Sequence, residues 1–368
     1  MPIADTPQRI LRAAIKAAQT GDVATVAAAL ADNPAVAQHA DPLMKACSFG
    51  FVDIVRLLLD AGADPNLDTG GMGRPLDRTC CICSMTDWSP GHEATVRLLL
   101  ERGAELRGRG RGGLTPLAGA AWHDDWPAVD LLRSLGAEVV DLDEACAIAD
   151  LDRAQAVLAA DPEAALRPNP QGNPPLKILA GTRWWRRGAE SEQRLAAIAE
   201  LLLAHGADPD QPTHEADDTP LAWSCGAGAP AVARVFLRSG ADGQSAFRRV
   251  VMRNRVELLD EIDPAHWAVD SLGDAKIGNS LLGETCRWGQ LKSLAWLLAH
   301  GANPRAADNQ GWTPLHYAAR RGLNERVLAD LVAAGADTEA RDAEGQTPLD
   351  LARAGKRAKV VAWFEACS

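Results

Sequence analysis

Residues Asn309 to Glu339 read NQGWTPLHYAARRGLNERVLADLVAAGADTE, and their reading decides the fold. Thr313 is a good helix N-cap, and Pro314 takes the first helical position, where a missing N–H costs nothing. A short helix follows, and Gly322 ends it by supplying the left-handed residue of a C-cap. A second helix carries Val327, Leu328, Leu331 and Val332 at helical spacing, and Gly335-Ala336-Asp337 then closes it and turns the chain. One such unit of roughly 33 residues cannot bury its own apolar stripe, so it must stack on copies of itself.

The run Thr313-Pro314-Leu315-His316-Tyr317-Ala318 resembles the signature of the ankyrin-repeat family. The resemblance implies an all-α solenoid of helix-turn-helix repeats with short β-turn or hairpin fingers, binding other proteins through its concave side. Working outward, the closing glycine recurs at Gly62, Gly103, Gly136, Gly206, Gly240, Gly301 and Gly335, near 33 or 34 residues apart wherever no copy is enlarged or degenerate. The pattern gives about 11 repeats in one continuous array over residues 1–368. Residues 8–40 read as an N-terminal capping repeat and 342–368 as a C-terminal one, each more degenerate where its outer side meets water. Insertions fall at about 84–92 and 182–193, and residues 245–270 read as a shortened helix pair.

A solenoid grows by adding neighbours, so 368 residues do not force two domains. The chain has no apolar run near the ~20 residues that a membrane span needs. Its N-terminus, MPIADTPQRILRAAIKAAQTGD, lacks the apolar centre of a secretory signal, which makes the cytoplasm the expected setting. Arg outnumbers Lys several-fold, suggesting GC-rich coding and a bacterial source. The net charge of −11 opposes attraction to phosphate backbones and anionic membranes, which disfavours nucleic acid and points to a basic or mixed protein partner met by a monomeric chain.

Few residues propose chemistry. Cys47, Cys80, Cys146, Cys225 and Cys286 share one register position, that of Ala319, where free Cys serves as a small buried hydrophobe. Cys80, Cys81 and Cys83 with His92 are the one cluster that suggests zinc, and hence a metal-dependent enzyme, but no second ligand pair at recognisable spacing accompanies it. Gly108 to Gly113 formally contains GxGxxG. It follows a helix and precedes Leu114-Thr115-Pro116, so it is the turn between two repeats rather than a dinucleotide loop. His123-Asp124-Asp125 reads as a turn with solvated acids, and His205 and His300 as residues favouring the negative end of a helix. No HExxH, GxSxG, Walker A loop or kinase set is present, and no cofactor is expected.

The expected function is therefore a non-catalytic protein-binding scaffold, with a tight inhibitor such as an immunity protein, or a host-directed effector, as variants of it. Trp and Arg supply most interface hot spots, so those outside the buried register are the candidate contacts. Arg107, Arg109 and Arg111 place three positive charges on one finger of an acidic chain. Trp184, Trp185, Arg186 and Arg187 form a basic aromatic run in the second insertion, where stacking does not require aromatic rings; the competing reading folds both rings back over the edge of the solenoid with Arg stacked on them. Trp122, Trp223 and Trp288 align with Arg320, Tyr317 and Arg321, the first two being the more exposed by this register. Trp312 holds a variable finger position.

Overall fold

The structure is a computed structural model describing residues 6–69, 73–81, 87–212, 219–226 and 228–367. It divides into two compact units, residues 1–216 and 217–368.

The first unit is six helix pairs: α1 (Thr6–Thr20) with α2 (Val23–Asp32), α3 (Ala40–Phe49) with α4 (Val52–Asp60), α5 (Pro75–Cys80) with α6 (Pro90–Glu101), α7 (Pro116–His123) with α8 (Trp126–Ser134), α9 (Leu142–Ile148) with α10 (Leu151–Ala160), and α11 (Pro175–Gly181) with α12 (Ala189–Ala204). The second unit is α13 (Pro220–Gly226) with α14 (Pro230–Arg238), α15 (Gly243–Met252) with a 3-10 helix (Val256–Glu261), α16 (Leu281–Trp288) with α17 (Leu291–Ala299), α18 (Pro314–Arg321) with α19 (Glu325–Ala333), and α20 (Pro348–Ala354) with α21 (Ala358–Cys367). Within each unit successive first helices pack side by side. A small antiparallel hairpin, β1 (Leu272–Asp274) and β2 (Asn279–Ser280), forms one finger. The weak match at 245–270 has its physical counterpart in the 3-10 helix that replaces a second α-helix there.

The same local chemistry builds each pair. The hydroxyls of Thr115, Thr219, Ser280 and Thr347 accept from the backbone N–H three residues on, and proline follows each threonine at the first helical position. Second helices end in a shared motif: each of the seven closing glycines has a positive φ, from 83° at Gly301 to 106° at Gly335. The following alanine N–H reaches the carbonyl five residues back, as Ala63 does to Leu58 and Ala336 to Leu331. This is the Schellman closure, which satisfies carbonyls that the helix leaves open.

Stacking depends on one position of the first helix. In the register of Ala319 it holds Ala18, Cys47, Cys80, Ala121, Cys146 and Ala180 in the first unit, then Cys225, Val251 and Cys286, and all are 0% exposed. In the repeat of α20 and α21 the position is Arg353, exposed and paired with Glu365 at 2.8 Å. Burial pushes the Cys47 thiol up to about 12 and raises those of Cys80, Cys146 and Cys286, so all four stay protonated and inert at neutral pH.

The insertions are partly absorbed. Residues 182–193 become a 3-10 turn (Trp184–Arg187) and the first turn of α12, the longest helix among the described residues. Of 84–92, residues 84–86 lie outside the described residues, and Pro90 opens α6 behind Ser89 as N-cap.

His92 and His316 are built into the caps. Nδ1 of His316 accepts from the Thr313 N–H at 3.1 Å, and its Nε2 donates to the Gln346 carbonyl of the next repeat at 3.2 Å. His92 does the same with the Ser89 N–H and the Ser48 carbonyl. Burial holds both below the ordinary histidine value, because only the neutral ring can accept at Nδ1. The unfolded chain therefore takes up protons first. Their stabilisation is complete above about pH 6.5 and is lost as pH falls through that value toward the lower folded values. Asp77 and Asp143, pushed up by burial to about 7 and about 6, act in the opposite direction over this range. The readout is thus a difference: the thermal midpoint of wild type should fall more steeply between about pH 7 and 5 than that of a His92→Gln/His316→Gln variant. Parallel profiles by circular dichroism would show that these caps do not titrate as described.

Candidate partner-binding site

Two arginines at the Gly108–Gly113 finger are paired with acids. Arg109 pairs with Asp141 at 2.6 Å and Asp143 at 3.0 Å and donates to the Gly113 carbonyl, while Arg107 reaches Glu144 at 3.3 Å. Its glycines are dictated by close approach, since a Cβ on Gly110 would stand 1.8 Å from an Asp77 carboxylate oxygen and one on Gly108 2.1 Å from Arg74 Nη1. Arg109 is half-buried and Arg107, though exposed, is paired, so both tie this finger to the α9 repeat rather than standing as unpaired charges. The side chain of Arg111 lies outside the described residues.

The Trp-Arg insertion folds back. Trp184 is 8% exposed and meets Trp126 edge to face with centroids 5.3 Å apart, and the Arg187 guanidinium lies over both rings. Arg187 also pairs with Asp130, Arg186 pairs with Asp124, and Arg186 covers the half-buried Trp185 at 5.5 Å. Trp184 is thus an interior ring and not an exposed anchor, because α8 offers it an aromatic partner that water cannot match. Trp122 is also held inward: a Cβ on Gly181 would fall 2.0 Å from its ring, so α11 keeps a glycine to admit the indole.

Of the zinc-suggesting cluster, Cys83 lies outside the described residues, and both ring nitrogens of His92 serve the cap. Asp124, read as a solvated acid, is the left-handed cap of α7 at φ 74° and the partner of Arg186.

The second unit differs. Trp288, at the C-terminal end of α16, is 54% exposed, and Trp223 on α13 is 36% exposed. The expected order of exposure is reversed, because Trp122 found a glycine to pack on. Two grooves run along this first-helix face. The larger, about 810 Å³, is lined by α15, Arg253, Ser271, Trp288 and Gln290. The smaller, about 430 Å³, is lined by Arg287, Trp312, Tyr317, Arg320, Arg321 and Arg357. Arg287 connects them, its guanidinium 5.4 Å from the Trp288 ring centroid.

Backbone carbonyls at helix ends explain why arginine gathers here. The residue after each left-handed cap is Arg255, Gln290, Leu323 or Arg357. Arg255 donates to the Ser224 and Gly228 carbonyls, Gln290 to that of Met252, and Arg357 to that of Arg320. Where leucine cannot donate, Arg321 bonds the Arg287 carbonyl instead, at 2.7 Å. Each rung thus satisfies open carbonyls of the preceding repeat. In the first unit the same position is Asp22, Phe51, Asp125 or Asp150, with Asp22 and Asp150 capping the second helix. Charge follows: residues 217–368 hold 18 of the 38 Lys and Arg but only 19 of the 49 Asp and Glu, so nearly all the acidic excess lies in residues 1–216. Sequence reading missed this cluster; aligning the repeats on the left-handed residue, rather than seeking aromatic runs in insertions, is the signal that finds it.

Nearby carboxylates are already engaged. Glu284 takes bonds from Asn279, Arg287 and Trp288 Nε1. Asp308 takes the backbone N–H groups of Gln310 and Trp312 and the Tyr317 hydroxyl, whose loss of a proton is disfavoured by burial and by that bond. Trp312 is half-buried, its ring 5.1 Å from that of Tyr317.

Stacked helix pairs with finger turns define a helical repeat protein. Family models for ankyrin repeats match residues 39–70 and 285–332. The chain is an ankyrin-repeat protein, as its Thr-Pro starts and closures indicate. It is 34% identical over 99 residues to an ankyrin repeat and KH domain-containing protein of Caenorhabditis briggsae and 37% identical over 76 residues to the ankyrin repeat and KH domain-containing protein mask of Drosophila melanogaster. These alignments cover 27% and 21% of this chain but only 4% and 2% of those proteins. Among solved structures, the ankyrin repeat domain of Bcl-3, a member of the IkappaB family, aligns over 69% of this chain and 99% of its own at 24% identity and a TM-score of 0.43. Ankyrin repeats generally mediate protein–protein interactions. No helix among the described residues is long and apolar enough to cross a membrane.

The two tryptophans should separate on substitution. Trp184→Ala, which empties a buried aromatic site, is expected to cost about 3–5 kcal/mol in urea unfolding, and Trp288→Ala only about 1 kcal/mol, through the bond its Nε1 gives Glu284. Equal costs would contradict the assignment of one as interior and the other as surface.

Proposed function

We propose that this chain is a non-catalytic scaffold that binds a protein partner through the first-helix face of residues 217–368, with Trp223, Trp288 and Trp312 as aromatic contacts among arginines. The observation that carries the reading is Trp288: a 54% exposed indole at the edge of a large groove, joined through Arg287 to a second groove. The ring is held by its Nε1 bond to Glu284 and by Arg287 while about half of it stays open to solvent, and rigid aromatic area beside guanidinium groups is what interface hot spots are made of. The Trp184–Arg187 insertion, the first choice from sequence, becomes a secondary contact limited to its exposed Arg186 and half-covered Trp185. The chain acts in this reading as a cytoplasmic monomer.

Affinity capture from lysate of the source cells tests the proposal, comparing wild type, Trp223→Ala/Trp288→Ala and Arg186→Ala, each first checked for equal helicity. Retained proteins, identified by mass spectrometry, should be lost with the double tryptophan variant and kept with Arg186→Ala. The reverse pattern would return the site to the insertion.

A further inference from the structure

We propose that the smaller groove of the second unit receives an acidic segment of the partner protein, its carboxylates meeting Arg320, Arg321 and Arg357 while an apolar side chain rests on Trp312. This rests on the protein-binding reading above and adds the chemistry of what is bound.

The groove carries unanswered charge. Among the described residues Arg320, Arg321 and Arg357 have no carboxylate partner; the side chains of Arg321 and Arg357 donate only to backbone carbonyls, and that of Arg320 makes no hydrogen bond. All three line one groove of about 430 Å³. By contrast, Arg107, Arg109, Arg186 and Arg187 of the first unit each face an acid. The carboxylates that touch lining residues are directed elsewhere: Asp274 and Glu284 pair with Arg287 and Asp308 accepts from the Tyr317 hydroxyl, so none of them is paired with Arg320, Arg321 or Arg357. The rungs that seat Arg321 and Arg357 also hold them in place, so little side-chain freedom remains to be lost on binding. A guanidinium fork fixed in this way matches a carboxylate in two bonds.

Net charge alone pointed to a basic or mixed partner; the local field in this groove points the other way, because most of the acidic excess sits in residues 1–216. That same excess argues against a long polyanion. Nucleic acid or an anionic membrane would bring extended negative charge against a chain of net charge −11, whereas a short acidic segment meets only the groove. Trp312 and Tyr317 on one wall supply apolar area that a carboxylate cluster alone would not use.

The test uses the full chain and a fluorescein-labelled peptide of about twelve residues, long enough when extended to cross several helices, with Glu and Asp around a central Leu. Its isostere with Gln and Asn is the control, and binding is followed by anisotropy at low salt. The acidic peptide should bind at least about tenfold more tightly than the isostere. Arg320→Glu, which breaks no bond in the structure and leaves both rungs intact, should weaken it about tenfold or more, while Arg320→Lys should keep most of the affinity. Equal binding of peptide and isostere, or unchanged binding by Arg320→Glu, would overturn the proposal. So would a single-stranded oligonucleotide or a phosphatidylserine vesicle that binds more tightly and displaces the peptide. If the peptide fails while Trp223→Ala/Trp288→Ala still abolishes capture of the cellular partner, the acidic chemistry is wrong and the protein-binding reading stands; if both fail, both are wrong.

Discussion

Everything in this protein depends on a contact that one repeat cannot make alone. Beyond α1, the first helices run six to ten residues, too little surface to be stable alone, and they persist because a small side chain lets the next first helix come close. From Ala18 to Ala319 that position is fully buried and held by Ala, Cys or Val. In the repeat of α20 and α21 the same position is Arg353, exposed to solvent and paired with Glu365. Five cysteines are thereby accounted for as packing atoms, and burial keeps the thiols whose state is resolved protonated.

The same stacking decides where charge goes. Each first helix ends with open carbonyls that the next repeat can answer, and the second unit answers with Arg255, Gln290, Arg321 and Arg357. The first unit instead places aspartates there to cap the following helix. A choice made for backbone satisfaction thus gives residues 217–368 a face rich in guanidinium, and exposed Trp288 and half-buried Trp312 lie among those groups. In the proposed reading, structure and binding use one set of side chains.

Much of the fold was legible because it is local. Thr313-Pro314, Gly322 and Gly335-Ala336 each announce a hydrogen bond made within a few residues, and such bonds repeat whatever the neighbours are. The helix pairs and the buried cysteine register follow from them. The candidate site was less legible because exposure is not local. Trp184 looked unneeded until α8 supplied Trp126, and Trp122 looked exposed until α11 supplied Gly181. The finger arginines looked outward until α9 supplied Asp141, Asp143 and Glu144. In each case the partner lies in another repeat, at a separation that no motif reports. Conversely, Arg320 and Arg357 sit in ordinary repeat positions and carry no signal except their place in the register.

The account's central claim is that function resides on the first-helix face of the second unit. Amide hydrogen exchange of the chain alone and saturated with its captured partner tests this most directly, since it reads every backbone position at once. The account predicts new protection at the ends of α16, α18 and α20 and little change at residues 182–193. Protection centred on 182–193, with those three helix ends unaffected, would contradict it.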